Sequence, residues 1–88
     1  MKKYYIKVTQ EDIDKGCFGS PKYCPVARAI VRRFQLKNYP CVGSGEAMYW
    51  TEQGTERRFI LPAPARAFIF EFDHQLEAKP FSFKLIAK

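Results

Sequence analysis

The sequence predicts a small single-domain α+β protein, a two-layer sandwich in which two helices cover one face of a mostly antiparallel sheet. Three observations indicate this class: a length of 88 residues, an apolar fraction of 47%, and alternating segments that flank two segments of helical periodicity. A chain of this length forms one modest core, so residues 1–88 are expected to be a single domain. The expected order is β-α-β-β-α-β with a central β-hairpin.

The first expected strand covers residues 3–9, in which apolar and charged side chains alternate. Tyr4, Ile6 and Val8 share one face of such a strand, because successive side chains of a strand point to opposite faces. This face is predicted to lie in the core.

A short capped helical turn is expected directly after this strand. Thr9 stands three residues before Asp12, which is the spacing of a capping box, and Gly16 follows as a helix-ending glycine. Glu11 and Asp12 are therefore interpreted as favourable charges at the positive end of the turn, in preference to a catalytic pair of carboxylates.

The segment "CFGSPKYCPVARAIVRRF" predicts the first long helix. A proline at the first helical position follows either Ser20 or Cys24, and the helix is expected to run to about Gln35. The apolar arc consists of Val26, Ala27, Ile30, Val31 and Phe34, and the opposite side carries Arg28, Arg32 and Gln35, with Arg33 towards the edge. The pattern is typical of a core-facing helix with a basic outer side.

The middle of the chain predicts short strands. A β-type run that contains two glycines follows Pro40, and the segments 47–51 and 57–61 are expected to form the β-hairpin. Gly54 supplies the positive φ that the connection needs.

Residues 65–76 fit a helix or a strand. The helical pattern has an apolar arc of Ala65, Phe68, Ile69, Phe72 and Leu76 with Phe70 opposite, whereas the strand pattern places Phe68, Phe70 and Phe72 together. The helix is preferred because twelve residues are long for a strand in so small a domain. A closing strand follows Pro80, with Phe81, Phe83 and Leu85 on one face.

The chain is basic, with fifteen Lys and Arg against nine Asp and Glu, a net charge of +6 and a pI near 9.4. This charge favours binding to nucleic acid or to a nucleic-acid-containing complex, although small domains also carry net charge for solubility. The candidate nucleic-acid contacts are Arg28, Arg32 and Arg33 on the first long helix, and Arg57 and Arg58 on the hairpin.

A protein partner is the alternative. A helix that places Phe70 opposite the other phenylalanines leaves its ring exposed, with His74 one turn further on. Phe70 and His74 therefore mark a candidate interface for an inhibitor, a subunit or a homodimer, and a free strand edge is a second way to dock.

The aromatic residues of the strands raise the question of base stacking. The expected topology is similar to that of the RNA recognition motif, but "TERRFILPA" lacks the glycine and the aromatic spacing of that family's third strand. Core and cross-strand packing is therefore preferred over base stacking for Tyr4, Tyr5, Tyr49, Trp50 and Phe59.

No catalytic residue, metal site or cofactor is assigned. Cys17, Cys24 and Cys41 with His74 offer four possible ligands, but their spacing does not match a zinc ribbon or finger. Cys24 at a helix N-terminus is the best candidate for a reactive thiol, and buried reduced cysteine is the preferred interpretation.

Four blocks, "TQEDIDKG", "CPVARAI", "LPAPARAFIFEFD" and "PFSFKL", resemble a group of short uncharacterised proteins encoded in bacteriophage and bacterial genomes. The resemblance implies a phage or prophage setting and favours an interaction protein over an enzyme, without assigning an activity. Since neither a signal peptide nor a membrane span is recognised, a cytoplasmic protein without a membrane partner is expected.

Overall fold

Five strands pair into one antiparallel sheet, and two longer helices pack on one of its faces, which confirms the predicted α+β class. The predicted order had four strands, and the structure adds a fifth, a two-residue strand at one edge of the sheet. These features come from a computed structural model, which describes residues 2–88. In chain order the elements are β1 (Lys3–Val8), α1 (Gln10–Lys15), α2 (Pro25–Phe34), β2 (Cys41–Val42), β3 (Glu46–Trp50), β4 (Glu56–Ile60), α3 (Ala63–Asp73) and β5 (Phe81–Ala87). None of the helices in this part of the chain has the length and apolar character that crossing a membrane requires.

The strand order β1-β5-β4-β3-β2 places the C-terminal strand β5 between the first strand and the hairpin. Tyr4 lies opposite Leu85 in the β1–β5 pair, and Phe59 lies opposite Ala87 in the β4–β5 pair. Strands β1 and β2 form the two edges of the sheet. The pairing therefore joins the two ends of the chain in one sheet.

The inner face of the sheet and the two longer helices enclose the core. Phe34 of α2 packs against Tyr4, Tyr49 and Phe59, with ring centroids 5.2 to 5.7 Å apart. On α3, Phe68 stacks on Phe81 of β5 at 4.6 Å. Large buried side chains on both layers include Ile6, Val8, Val26, Ile30, Leu61, Phe72, Phe83 and Leu85.

The helical interpretation of residues 65–76 is confirmed, with the helix α3 covering Ala63–Asp73. It ends earlier than expected because Gln75 adopts a left-handed conformation with φ of 57°. Leu76 was expected on the apolar arc, but it lies beyond the helix and is exposed. The hairpin is also confirmed, and Gly54 has the expected positive φ of 86°.

The capping box of α1 is present. The backbone N–H of Asp12 donates to the Thr9 hydroxyl, and the N–H of Thr9 donates to the Asp12 carboxylate. Gly16 follows the helix with an extended φ of −73°, so it is not the left-handed cap that glycine usually provides. A Cβ at Gly16 would lie 2.7 Å from the Pro25 ring, and close packing of α1 against the start of α2 therefore accounts for this glycine.

Helix α2 begins at the second of the two expected prolines. Cys24 is its N-cap, and the Cys24 sulfur accepts a hydrogen bond from the Ala27 N–H at 3.4 Å. The side chain is buried, and burial raises the pKa of the Cys24 thiol above its usual range despite the nearby N–H groups. The cysteine at this helix start is therefore a protonated packing and capping residue at neutral pH.

Candidate functional site

Two of the predicted nucleic-acid contacts meet at one buried carboxylate. Arg32 forms a two-pronged ion pair with Asp12, in which both nitrogen–oxygen distances are 2.8 Å. Arg28 lies on the same carboxylate, with 3.5 Å between its Nε and Oδ1 of Asp12. The side chain of Asp12 has no exposed surface. The carboxylate of Asp12 thus partly neutralises the charges of Arg28 and Arg32, and the Arg32–Asp12 ion pair connects α1 to α2.

The environment of Asp12 favours its ionised form. Burial alone raises the pKa of this carboxyl group, but hydrogen bonds from Arg32 and Thr9 and the charge of Arg32 lower it by more. The net result is a pKa below the ordinary value for aspartate. Asp12 is therefore a charged anchor of the fold at neutral pH.

The arginines of α2 also close the edge of β1. Arg33 donates from Nε to the carbonyl of Tyr5 at 3.2 Å, and Arg32 donates from Nη2 to the carbonyl of Lys7 at 2.7 Å. Unpaired carbonyls on an edge strand are the groups to which another strand can add. Arg32 and Arg33 therefore protect an edge that would otherwise be open to strand addition.

The two hairpin arginines lie on opposite faces of β4. Arg57 is half-buried on the inner side, with its guanidinium 5.9 Å from the centroid of the Phe59 ring. Arg58 lies on the outer side and contacts the carboxylates of Glu46 and Glu56. The five predicted arginines thus do not form one surface, and their role as nucleic-acid contacts stays a prediction.

The outer face of the sheet carries a basic cluster that the sequence analysis did not single out. Lys3 and Lys7 flank Tyr5 on β1, and Lys84 lies opposite Tyr5 on β5. All four side chains are exposed, and Tyr5 retains 54% of its accessible surface. Within residues 2–88 none of these three lysines has a carboxylate partner. We call Lys3, Tyr5, Lys7 and Lys84 the basic cluster.

The other half of the outer face combines apolar and paired charged residues. Trp50 is 58% exposed at the end of β3. The remaining side chains on this half are Ile86, Ile60, Met48, Cys41, Arg58, Lys88, Glu46 and Glu56. A hydrogen bond from Lys88 and the charge of that lysine lower the pKa of Glu46. The face as a whole carries five cationic side chains and two carboxylates.

The structure separates the five strand aromatics into two groups. Phe59 and Tyr49 are buried and Tyr4 is partly buried, so core packing is confirmed for these three. Tyr5 and Trp50 point to the outer face. The hydroxyl of Tyr5 donates a hydrogen bond to the Ser82 hydroxyl, which leaves the face of the ring free. These two rings are available for stacking with a ligand.

The cysteines and His74 do not come together. Cys24 is buried, whereas Cys17 and Cys41 are exposed and unpaired with one another. Across residues 2–88 no three histidine, cysteine, aspartate or glutamate side chains are close enough to hold a metal ion. His74 follows α3 as its C-cap and stacks on Phe70 at 4.1 Å.

Comparison of the chain with protein families, with curated proteins and with solved structures gives no match.

Proposed function

We propose that this protein is a small non-enzymatic binding protein that engages nucleic acid, free or within a nucleic-acid-containing complex, through the outer face of its sheet. The observation that carries the proposal is the basic cluster, in which three unpaired lysines surround an exposed tyrosine on a face that the helices leave open.

The outer face offers both kinds of contact that nucleic acid requires. Lysine side chains neutralise backbone phosphates without regard to sequence, and aromatic rings stack on bases whatever their identity. Tyr5 and Trp50 supply the rings, the basic cluster supplies the ammonium groups, and Arg58 lies between them. Among the predicted arginines, Arg58 is the one that this surface includes, and it brings a guanidinium suited to phosphate.

Trp50 gives a direct test, because it is the single tryptophan of the chain. Titration with a single-stranded oligonucleotide of about 20 nucleotides is expected to quench its fluorescence, with a midpoint that shifts to higher concentration as salt rises. Polyglutamate of similar charge serves as the control, since its carboxylates can bind the lysines but it has no base to stack on the Trp50 ring. Unchanged Trp50 emission at every oligonucleotide concentration in low salt would contradict the proposal.

A protein partner is the second candidate, and Phe70 favours it. The Phe70 ring is 58% exposed on α3, on the helical layer and away from the outer face. Docking through a strand edge has less support, because arginine side chains close β1 and the N–H of Val42 on β2 donates to the Pro21 carbonyl.

Size-exclusion chromatography with light scattering separates the two candidates. If Phe70 and His74 form an apolar interface, such as that of a homodimer, association persists at high salt and is lost in Phe70→Ser. The nucleic-acid proposal predicts a monomeric elution volume for the parent and a salt-sensitive shift on adding oligonucleotide.

The setting of the protein is part of the same proposal. The resemblance of four sequence blocks to short phage and bacterial proteins supports a phage or prophage role, and a cytoplasmic location gives access to nucleic acid. If the protein instead binds a protein partner, the proposed role is that of an inhibitor of host defence or of a host-takeover factor.

A further inference from the structure

A groove of about 440 Å³ opens beside the end of β3, next to the outer face of the sheet. Three segments form it: the loop before α2, the loop after α2, and the last residue of β3. Its lining residues are Lys22, Tyr23, Lys37, Asn38, Tyr39 and Trp50. Trp50 belongs to both the groove and the outer face, so the two surfaces are continuous.

Aromatic rings form much of the wall of this groove. Tyr23 and Tyr39 pack edge to face with 4.8 Å between ring centroids, which holds Tyr39 in place. All three rings are about half exposed, and within residues 2–88 no aromatic ring packs on that of Trp50. Half-exposed rings that converge on one groove provide a stacking site for a flat, unsaturated ligand.

The polar groups of the groove match a nucleotide. Lys22 and Lys37 supply positive charge, no carboxylate is among the lining residues, and Lys22 has no ion-pair partner in the described part of the chain. Lys37 pairs with Glu52 at 3.0 Å on the exposed surface. The amide of Asn38 can donate to and accept from the edge of a base. A groove of this volume lies in the range that accommodates a nucleotide-sized ligand.

We propose that this groove holds one unstacked nucleotide of a single strand, with the base against Tyr39 and Trp50 and a neighbouring phosphate at Lys22. The inference rests on the proposed function and narrows it to single-stranded nucleic acid. A base within a duplex is stacked on both faces and paired at its edge, so it cannot enter the groove without leaving the helix.

The test compares a single-stranded oligothymidylate with a duplex of equal length by fluorescence anisotropy. The parent is expected to bind the single strand at least about tenfold more tightly, and Tyr39→Leu is expected to lose about tenfold in affinity for it. The salt dependence of Tyr39→Leu stays unchanged, because the substitution removes no charge. Phe70→Leu is the matched control, since it removes an exposed ring from α3 and is expected to bind as the parent does.

Lys22→Gln is the second variant, at an exposed position where loss of folding is not expected. It is expected to make the slope of log affinity against log salt shallower by about 0.7 for the single strand. The thermal transition of Tyr39→Leu shows whether this variant is folded. If folded Tyr39→Leu and Lys22→Gln both bind the single strand like the parent, the groove assignment is overturned. It is also overturned if the parent binds the duplex as tightly as the single strand. Binding of neither probe by the parent overturns the proposed function as well.

Discussion

Combining Lys3→Gln, Lys7→Gln and Lys84→Gln is expected to weaken binding of single-stranded nucleic acid about 30-fold at low salt, if each exposed lysine–phosphate contact contributes about 0.7 kcal/mol. The slope of log affinity against log salt should become shallower by about 2, because three fewer phosphates are neutralised and each releases about 0.7 counterion from a single strand. The stability of the fold should change little, since these side chains are exposed and have no carboxylate partner among residues 2–88. Anisotropy titrations at several salt concentrations measure both quantities.

A second triple variant separates a local effect from that of net charge. Lys15→Gln, Arg66→Gln and Lys79→Gln remove the same charge from α1, α3 and the connection to β5, all at exposed positions away from the outer face. Long-range electrostatic attraction to nucleic acid falls equally in both triple variants. Only the variant of the basic cluster also loses direct contacts with phosphates. Equal loss of affinity in the two variants would show that the basic cluster is not the binding surface.

The fold was predictable because its determinants are local. The determinants are the alternation over the strands, the proline at the first position of α2 and the capping box at Thr9. Each of them acts within a few residues, and the structure confirms all three. The preference for a helix over residues 65–76 was correct, because twelve residues suit a helix better than a strand in a small domain, and the observed helix covers Ala63–Asp73. The early end of this helix, at a left-handed Gln75, had no comparable signal in the sequence.

The surfaces were harder to predict because they depend on pairings between distant residues. Asp12 and Arg32 are twenty positions apart, so the helical wheel showed a basic side of α2 without the carboxylate that partly neutralises it. The basic cluster forms where β1 meets β5, and the hydrogen-bonded Tyr5 and Ser82 are 77 positions apart. A partial signal was present in the alternation of Lys3, Tyr5 and Lys7 on the polar side of the first strand.

Asp12→Asn is expected to lower the free energy of unfolding by about 2 to 3 kcal/mol at pH 7, somewhat less than for a fully buried ion pair because Arg32 is half exposed. An amide of the same shape still accepts a hydrogen bond from the Thr9 N–H, but it leaves Arg28 and Arg32 without their shared negative charge. For a domain of this size the loss corresponds to a decrease in Tm of roughly 10 to 20 °C.

The pH dependence of this effect identifies its origin. The pKa of Asp12 is lower in the folded state than in the unfolded chain, so its ionised form stabilises the protein above the ordinary aspartate pKa, near 4. That contribution is lost as the pH falls through the folded-state pKa, and the parent and Asp12→Asn should then converge in stability. Asp14→Asn on the same helix is the control, because Asp14 is exposed and the charge change is identical. Denaturant unfolding between about pH 7 and pH 2 makes the comparison. A deficit of Asp12→Asn that is equally large at both ends of this range would show that lost packing, and not the ion pair, accounts for the change.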